Sequence, residues 1–368
     1  MIQPQPGVRQ GSVLLASLLV FACGEPDAPA GIETGSNLTC TIPRNQIFDG
    51  GPGKDGIPAL ENPPLVGADE PGLEYLENDD RVIGLLWNGQ AIAVPHNIGW
   101  WHEIVNLDLD GLQVAVTFCP LTGSSLAFDR GAADGATFGV SGLLYQNNMI
   151  MYDRNQPESL WPQMTRGARC GARSGAGLTM IPIVEMRWAA WRGLHPNTLV
   201  VSGDLDLGRD YRLYPYGSYD EPGNTQLLFP LDNVDRRRAM KERVLGIPSE
   251  GGDGGIAFPF DELALLGAAA VIEHVMDGED IVILWDGFGK AAMAYRPRAA
   301  GQTLTLEVRQ GAIEDRETRS SWDVDGVSRS GPLLGERLEP VAEAYVSFWF
   351  AWAAFHTGTK LWTGDGVS

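Results

Sequence analysis

Short apolar stretches recur along the chain, separated by turn-forming pairs. Residues 82–87 and 90–94 flank Asn88-Gly89, and residues 107–109 and 112–118 flank Asp110-Gly111. Asn-Gly and Asp-Gly adopt the positive φ angles of tight turns, so both stretches predict β-hairpins. Val114-Ala-Val-Thr-Phe118 is almost continuously apolar and predicts a central strand covered on both faces. Leu126-Ala-Phe128 and residues 137–140 predict a further hairpin across a Gly/Ala/Asp loop, and residues 149–152 continue the meander. A different period appears late in each half of the chain. Trp188, Trp191 and Leu194, and again Trp349, Trp352 and Phe355, stand at i, i+3 and i+6. This spacing places them on one helical face and predicts helices over 185–194 and 346–355, with the aromatic stripe as core. His195 and His356 end these helices, where a cation is favoured by the helix dipole.

These elements occur twice in the same order. Arg81-Val-Ile-Gly84 matches Arg243-Val-Leu-Gly246, and Ala91-Ile-Ala-Val-Pro95 matches Gly255-Ile-Ala-Phe-Pro259. Val116-Thr-Phe-Cys119 matches Ile283-Leu-Trp-Asp286, and Tyr152-Asp-Arg154 matches Glu314-Asp-Arg316. The Trp-bearing segments close both series, at an offset of 161 to 167 residues throughout. The expected fold is therefore α+β and β-rich: two tandem repeated halves of hairpin-built antiparallel sheet, each closed by a Trp-bearing helix. The expected division is a signal peptide over 1–22, a tether over 23–39, a first repeat over 40–202, a connector over 203–240 and a second, degenerate repeat over 241–368. The connector carries Tyr211, Tyr214, Tyr216 and Tyr219 among Pro and Gly, and reads as an ordered link or surface arm.

The chain start changes the setting. Arg9 precedes an apolar run over 13–22, and Val20-Phe21-Ala22-Cys23 follows the pattern of a lipoprotein box. The run is too short to span a bilayer, so the expected attachment is a membrane anchor of acyl chains on Cys23, with export to the periplasm or outer surface. The formal net charge of −20 argues against nucleic acid and anionic lipid as partners. Besides Cys23 there are Cys40, Cys119 and Cys170, which in an oxidising compartment give one pair and one leftover thiol.

Chemistry-bearing residues concentrate between His96 and Ser124. Cys119 ends the apolar strand, where a side chain is fixed by the sheet yet borders a loop. Pro120 and Gly123 predict a tight turn that presents backbone N–H groups to Cys119 and lowers its pKa. One reading makes Cys119 a nucleophile, His102 its base and Glu103 the orienting carboxylate. Another makes Cys119, Cys170, His96 and His102 a site for copper or zinc, or Cys119 and Cys170 a redox pair. A third makes Cys119–Cys170 a plain disulfide in a structural or adhesion protein. Trp101, Asn106, Thr122 and Ser124 line the same stretch. Lys54 and Asp55 in a Gly/Pro-rich loop, with Ser141 and Tyr145, are candidate pocket residues. In the second copy Asp286 stands in place of Cys119, and the His-Glu pair has no counterpart. No phosphate-binding loop, dinucleotide fingerprint or His-Glu-x-x-His motif is present.

The segments GGPGKDGIPAL (50–60), WHEIVN (101–106), VTFCPLTGS (116–124), FGVSGLLY (138–145) and MYDR (151–154), with the closing FWFAWAAFH (348–356), resemble the bacterial and archaeal family designated domain of unknown function 3179. Some members carry Cys-Pro-Leu-Cys where this chain has Cys119-Pro-Leu-Thr122. The resemblance implies fold and extent and names no activity.

Overall fold

The computed structural model describes residues 39–231, 233–251 and 254–367. Residues 1–22, Cys23 and nearly all of the tether lie outside the described residues. Among those described, the fold is β-rich, with four short α-helices: α1 (His96–His102), α2 (Trp188–Leu194), α3 (Phe260–Leu265) and α4 (Trp349–Phe355). No helix among them is long and apolar enough to cross a membrane.

Turn chemistry sets the local architecture. Strands Arg81–Trp87 and Gln90–Pro95 pair antiparallel around Asn88 (φ 46°) and Gly89 (φ 77°), as the sequence predicts. Ile104–Leu109 and Leu112–Cys119 pair in register across Asp110-Gly111. Gln146 and Asn147 (φ 53° and 62°) close the same kind of turn between Phe138–Tyr145 and Asn148–Asp153.

Each helix begins where a strand ends, and the helices are shorter than their periodicity suggests. Ile183–Arg187 and Tyr345–Phe348 are strands, so residues 185–187 and 346–348 are not helical. The i, i+3 spacing holds, but the apolar residues before each Trp pair into sheets, which the spacing alone cannot reveal. The anticipated hairpin between 126–128 and 137–140 is absent too. Ser124–Asp129 pairs with Leu112–Cys119, whereas Phe138–Tyr145 joins a separate five-stranded sheet.

In the largest sheet nine strands run in the order Leu60–Glu61, Ile104–Leu109, Leu112–Cys119, Ser124–Asp129, Tyr345–Phe348, Arg243–Pro248, Gly254–Pro259, Gly358–Thr363 and Gly366–Val367. Its middle joins the two halves of the chain, through the pairing of Ser125 with Val346 and the bond from Phe348 N–H to Thr122 O (2.8 Å). The reciprocal contact sets Ile183–Arg187 beside Ala291–Arg296, with Arg187 N–H donating to Gly289 O (2.9 Å). The strand before each Trp helix thus pairs with its own half's hairpin on one side and meets the other half on its second side. One core accordingly mixes Cys119, Phe128 and Trp161 with Trp349 and Trp352, and another mixes Trp188 and Trp191 with Leu284, Met293 and Trp322.

The two Trp helices are held alike. Trp191 Nε1 donates to Thr198 Oγ1 (2.9 Å) and Trp352 Nε1 to Thr359 Oγ1 (2.7 Å). Their rings lie against Gly84 and Gly246, where an added Cβ would come within 2.1 and 2.2 Å of ring carbons. His195 and His356 stack on Trp191 and Trp352, at centroid distances of 4.3 and 3.9 Å. His356 is not the helix-end cation the sequence suggests. Burial, with Arg166 nearby, lowers its pKa to about 4, and its Nε2 bonds to Tyr345 Oη (2.9 Å). His195 Nε2 faces Asp325 Oδ2 at 2.9 Å. Gly246→Ala is expected to lower stability by ~1–3 kcal/mol through overpacking against Trp352. Urea unfolding should show a lowered midpoint with the same slope as the parent.

Candidate functional site

Helix α1 occupies the gap between the hairpin 81–95 and the strand Ile104–Leu109. It packs close because Gly99 has no side chain; a Cβ there would meet Phe118 at 2.9 Å. The helix ends abruptly at Glu103, a non-glycine residue with φ 57° and ψ −33°. Glu103 N–H donates to Gly99 O, and Phe118 N–H donates to Glu103 O (2.8 Å). Such backbone is sparsely populated and costs on the order of 1–3 kcal/mol, so the surroundings must hold it in place. The result sets Glu103 across from Phe118, next to the end of the Cys119 strand.

Cys119 is completely buried and unpaired. Its Sγ lies 4.0 Å from Asn147 O, and the Thr122 and Met149 backbone N–H groups and the Thr122 hydroxyl favour its thiolate. The turn donors expected from Pro120 and Gly123 are therefore present. The lowered pKa is not: burial first, then the Glu103 charge, push the thiol up to about 11. Glu103 is 6% exposed, and burial alone raises its carboxyl to about 8. Among the described residues no side-chain hydrogen bond or ion pair reaches that carboxyl.

The remaining residues separate into those the fold gathers here and those it places elsewhere. Thr122 and Ser124 continue from Cys119 into a buried network, with Thr122 Oγ1 and Ser124 Oγ 2.8 Å apart and Ser124 Oγ donating to Gln163 Oε1 (2.6 Å). Asn148 Nδ2 donates to Thr122 Oγ1 (3.0 Å) and Gln163 Oε1 (2.8 Å). His102 is close in sequence but engaged: Nδ1 meets Pro58 O (2.7 Å) and Nε2 meets Tyr211 Oη (2.8 Å). Burial lowers its pKa. Neither ring nitrogen is left to serve Cys119, which corrects the expected Cys–His–Glu order. Trp101 lies beneath the Arg209 guanidinium, 4.9 Å from the ring centroid. Asn106 clamps neighbouring strands, donating to Leu60 O and Phe138 O and accepting from Phe138 N–H. Lys54 pairs with Glu158, and Asp55 accepts from Tyr152 Oη and from Arg154. Ser141 bonds to Ile150 O, and Tyr145 packs on Phe355. Those last four belong to the scaffold around the site.

The metal and dithiol arrangements are not assembled. Cys170 is bonded to Cys40, 130 residues away, and not to Cys119. His96 lies between Ser125 Oγ (3.3 Å) and Glu185 Oε2 (3.5 Å), stacked on Phe118. Burial lowers its pKa to about 4, so the ring is neutral. No group of three or more His, Cys, Asp or Glu side chains among the described residues is placed to hold a metal ion.

Two features escaped sequence reasoning. The first is the connector, which lies over Cys119 and Glu103. Tyr219 Oη donates to Leu121 O (3.0 Å), and Tyr211 and Tyr219 are buried. Tyr214 and Tyr216 stand 5.5 Å apart, both phenols raised by burial, with Cys119 contributing to each and Glu103 to Tyr216. Tyr214 Oη is buried without a hydrogen-bond partner. The Asn147 side chain grips the Phe229 backbone at both N–H and O. Lys241 Nζ donates to Gln226 O (3.0 Å) and sits 3.2 Å from the Tyr219 ring centroid; burial lowers its pKa to about 7. The Tyr count was the available signal, but spacing could not say which way the rings face.

The second feature is a buried ion cluster. Glu185 Oε1 accepts from Arg81 Nε (2.5 Å) and Arg243 Nη1 (3.0 Å), and Oε2 accepts from Ser125 Oγ (2.6 Å). Despite complete burial, the two guanidinium groups hold the Glu185 carboxyl well below its ordinary range. Its signal was present: Arg81 and Arg243 open the two similar segments Arg-Val-Ile-Gly and Arg-Val-Leu-Gly.

The family model described as a protein of unknown function, DUF3179, matches residues 54–359 of this chain. No curated protein matches it. No solved structure matches it.

Proposed function

The chain belongs to the DUF3179 family, and on that premise we propose that it is a thiol enzyme of the cell envelope, with Cys119 as nucleophile and Glu103 as its proton acceptor. The observation that carries this reading is Glu103. It is a carboxyl nine-tenths buried, held on left-handed backbone, without a partner, beside a free thiol. An uncompensated buried carboxyl on strained backbone is costly, and such costs cluster at functional sites. In the proposed step the sulfur bonds to an electrophilic carbonyl carbon while the thiol proton passes to Glu103. The same proton then returns to the group that leaves the carbon, which yields an acyl-cysteine that water or another acceptor resolves. The N–H groups of Thr122 and Met149 stabilise negative charge at sulfur. The connector excludes water when closed and must move for a substrate to enter.

The same reading takes the chain as an internal duplication, with the Trp-helix scaffold kept in both halves and the reactive groups in the first. Asp286, which ends its strand as Cys119 does, supports this. It also takes the protein as exported and lipid-anchored at Cys23. The Cys40–Cys170 disulfide agrees with an oxidising compartment. A second reading, an inert scaffold protein, is favoured by the complete burial of Cys119, since buried thiols without activation are unreactive.

A small activated ester such as p-nitrophenyl acetate separates the two. Under the enzyme reading the native protein releases a burst of one product equivalent and carries the acyl group on Cys119 by mass spectrometry. Cys119→Ser abolishes the burst, and Glu103→Gln slows acylation by about 100-fold or more. If only the unfolded chain is acylated, the scaffold reading stands.

A further inference from the structure

A cleft borders the Gln163–Thr165 turn. Residues 165–177 read Thr-Arg-Gly-Ala-Arg-Cys-Gly-Ala-Arg-Ser-Gly-Ala-Gly, a glycine- and arginine-rich loop in a chain with 47 acidic and 27 basic residues. Two of its arginines differ from most others in the molecule. The Nε atoms of Arg166 and Arg169 are buried without a hydrogen-bond partner, and no carboxylate among the described residues lies within 4.0 Å of either guanidinium. Arg173, by contrast, pairs with Asp134 and Asp153. Arg169 has one side-chain bond, from Nη2 to Thr165 O (3.2 Å).

Both side chains line one cleft of about 530 Å³, together with Thr165, Gly175, Thr179 and the exposed Glu343. Arg166 also reaches an adjoining cleft of about 680 Å³. Their positions are fixed from below. Arg166 has left-handed backbone (φ 53°) directly after the turn Gln163–Thr165, which Met164 N–H ties to Asn148 Oδ1 (2.9 Å). Arg169 precedes the disulfide-bonded Cys170, and its carbonyl accepts from Thr41 N–H (2.7 Å). In a protein of net charge −20, carboxylates are abundant, yet none has closed on these two forks. Both arginines line the cleft without a carboxylate partner, and a planar guanidinium matches the paired oxygens of a phosphate or a carboxylate.

We propose that this cleft binds a small oxyanion group, phosphate or carboxylate, between Arg166 and Arg169. The site is separate from Cys119 and does not depend on the reaction proposed for it. Calorimetric titration of the full-length protein with inorganic phosphate, and separately with acetate, tests it, with sodium chloride at matched ionic strength as the reference. Saturable binding of either anion is expected, and which one saturates identifies the source. Arg166→Gln and Arg169→Gln should each weaken it by at least ~10-fold. Arg192→Gln, an arginine that packs on Trp188 away from the cleft, should leave it unchanged. A readout without substitution is phenylglyoxal labelling of the parent protein, where the bound anion should protect Arg166 and Arg169. The proposal is overturned if neither anion saturates, if chloride reproduces the effect (an adventitious ion only), or if neither arginine is protected.

Discussion

Glu185→Ala is expected to destabilise the protein by about 3–5 kcal/mol, the largest loss any single side chain here should produce. The reason is asymmetric. The buried carboxylate neutralises two partly buried guanidinium groups, one from each half of the chain, and accepts a hydroxyl besides. Truncation leaves Arg81 and Arg243 facing one another without a counter-charge, and removal of one partner from a buried pair costs far more than the pair itself contributes. Glu185→Gln keeps the shape and should recover only part of the loss. Urea unfolding with both variants checks this; a Glu185→Ala midpoint equal to the parent's would falsify the account. The pH sign follows from the lowered carboxyl. Its stabilisation is present above the ordinary carboxylate pKa and is lost as pH falls through its lower folded value.

Glu103→Gln should act in the opposite direction, as a stabilising change that grows with pH. Burial raises the Glu103 carboxyl from 4.5 to about 8. A raised carboxyl gives stability that is complete below the unfolded value and is lost as pH climbs through the folded one. The parent therefore loses up to ~1.4 kcal/mol per pH unit from this group between those limits. The variant has no such loss and should exceed the parent by a few kcal/mol at pH 9, while matching it near pH 4. Lys241, lowered to about 7 by burial, tilts the parent profile the other way, but it is common to both proteins and cancels in their difference. Paired urea titrations at pH 4, 7 and 9 give that difference directly. A gap that does not widen with pH means Glu103 is ionised and compensated in the fold. The same substitution should slow acylation, so one variant gains stability and loses reactivity.

The sequence disclosed what local chemistry determines. Asn88-Gly89 and Asp110-Gly111 specify their hairpins through the backbone angles those residues tolerate. Trp191 and Trp352 announce their burial through spacing. What it withheld depends on partners remote along the chain. Val346 meets Ser125 across more than half the chain, and residues 346–348 read as helix by periodicity yet fold as strand. The cysteines follow the same rule: arithmetic allows one pair, and only the return of residue 40 beside residue 170 selects it. At the site, Cys119 was legible because an apolar strand ends there, and Glu103 only as the neighbour of His102; the helix that ends at Glu103 was not foreseen. The role of His102 was not, because its ring is claimed by Pro58 and Tyr211, residues 44 and 109 positions away.

The seam between the two halves bears on which parts of the chain can be dispensed with. The second half contributes neither Cys119 nor Glu103. It owns Tyr345–Phe348 and the Trp349 and Trp352 rings, however, and these complete the core beneath Cys119. A chain truncated after the connector would expose that core and unpair the Ser125 end of the Ser124–Asp129 strand, whose other end stays bonded to residues 179–181. The second half is thus retained as a wall of the first, and a C-terminal deletion that removes residues 345–352 should leave the Cys119 region unable to fold.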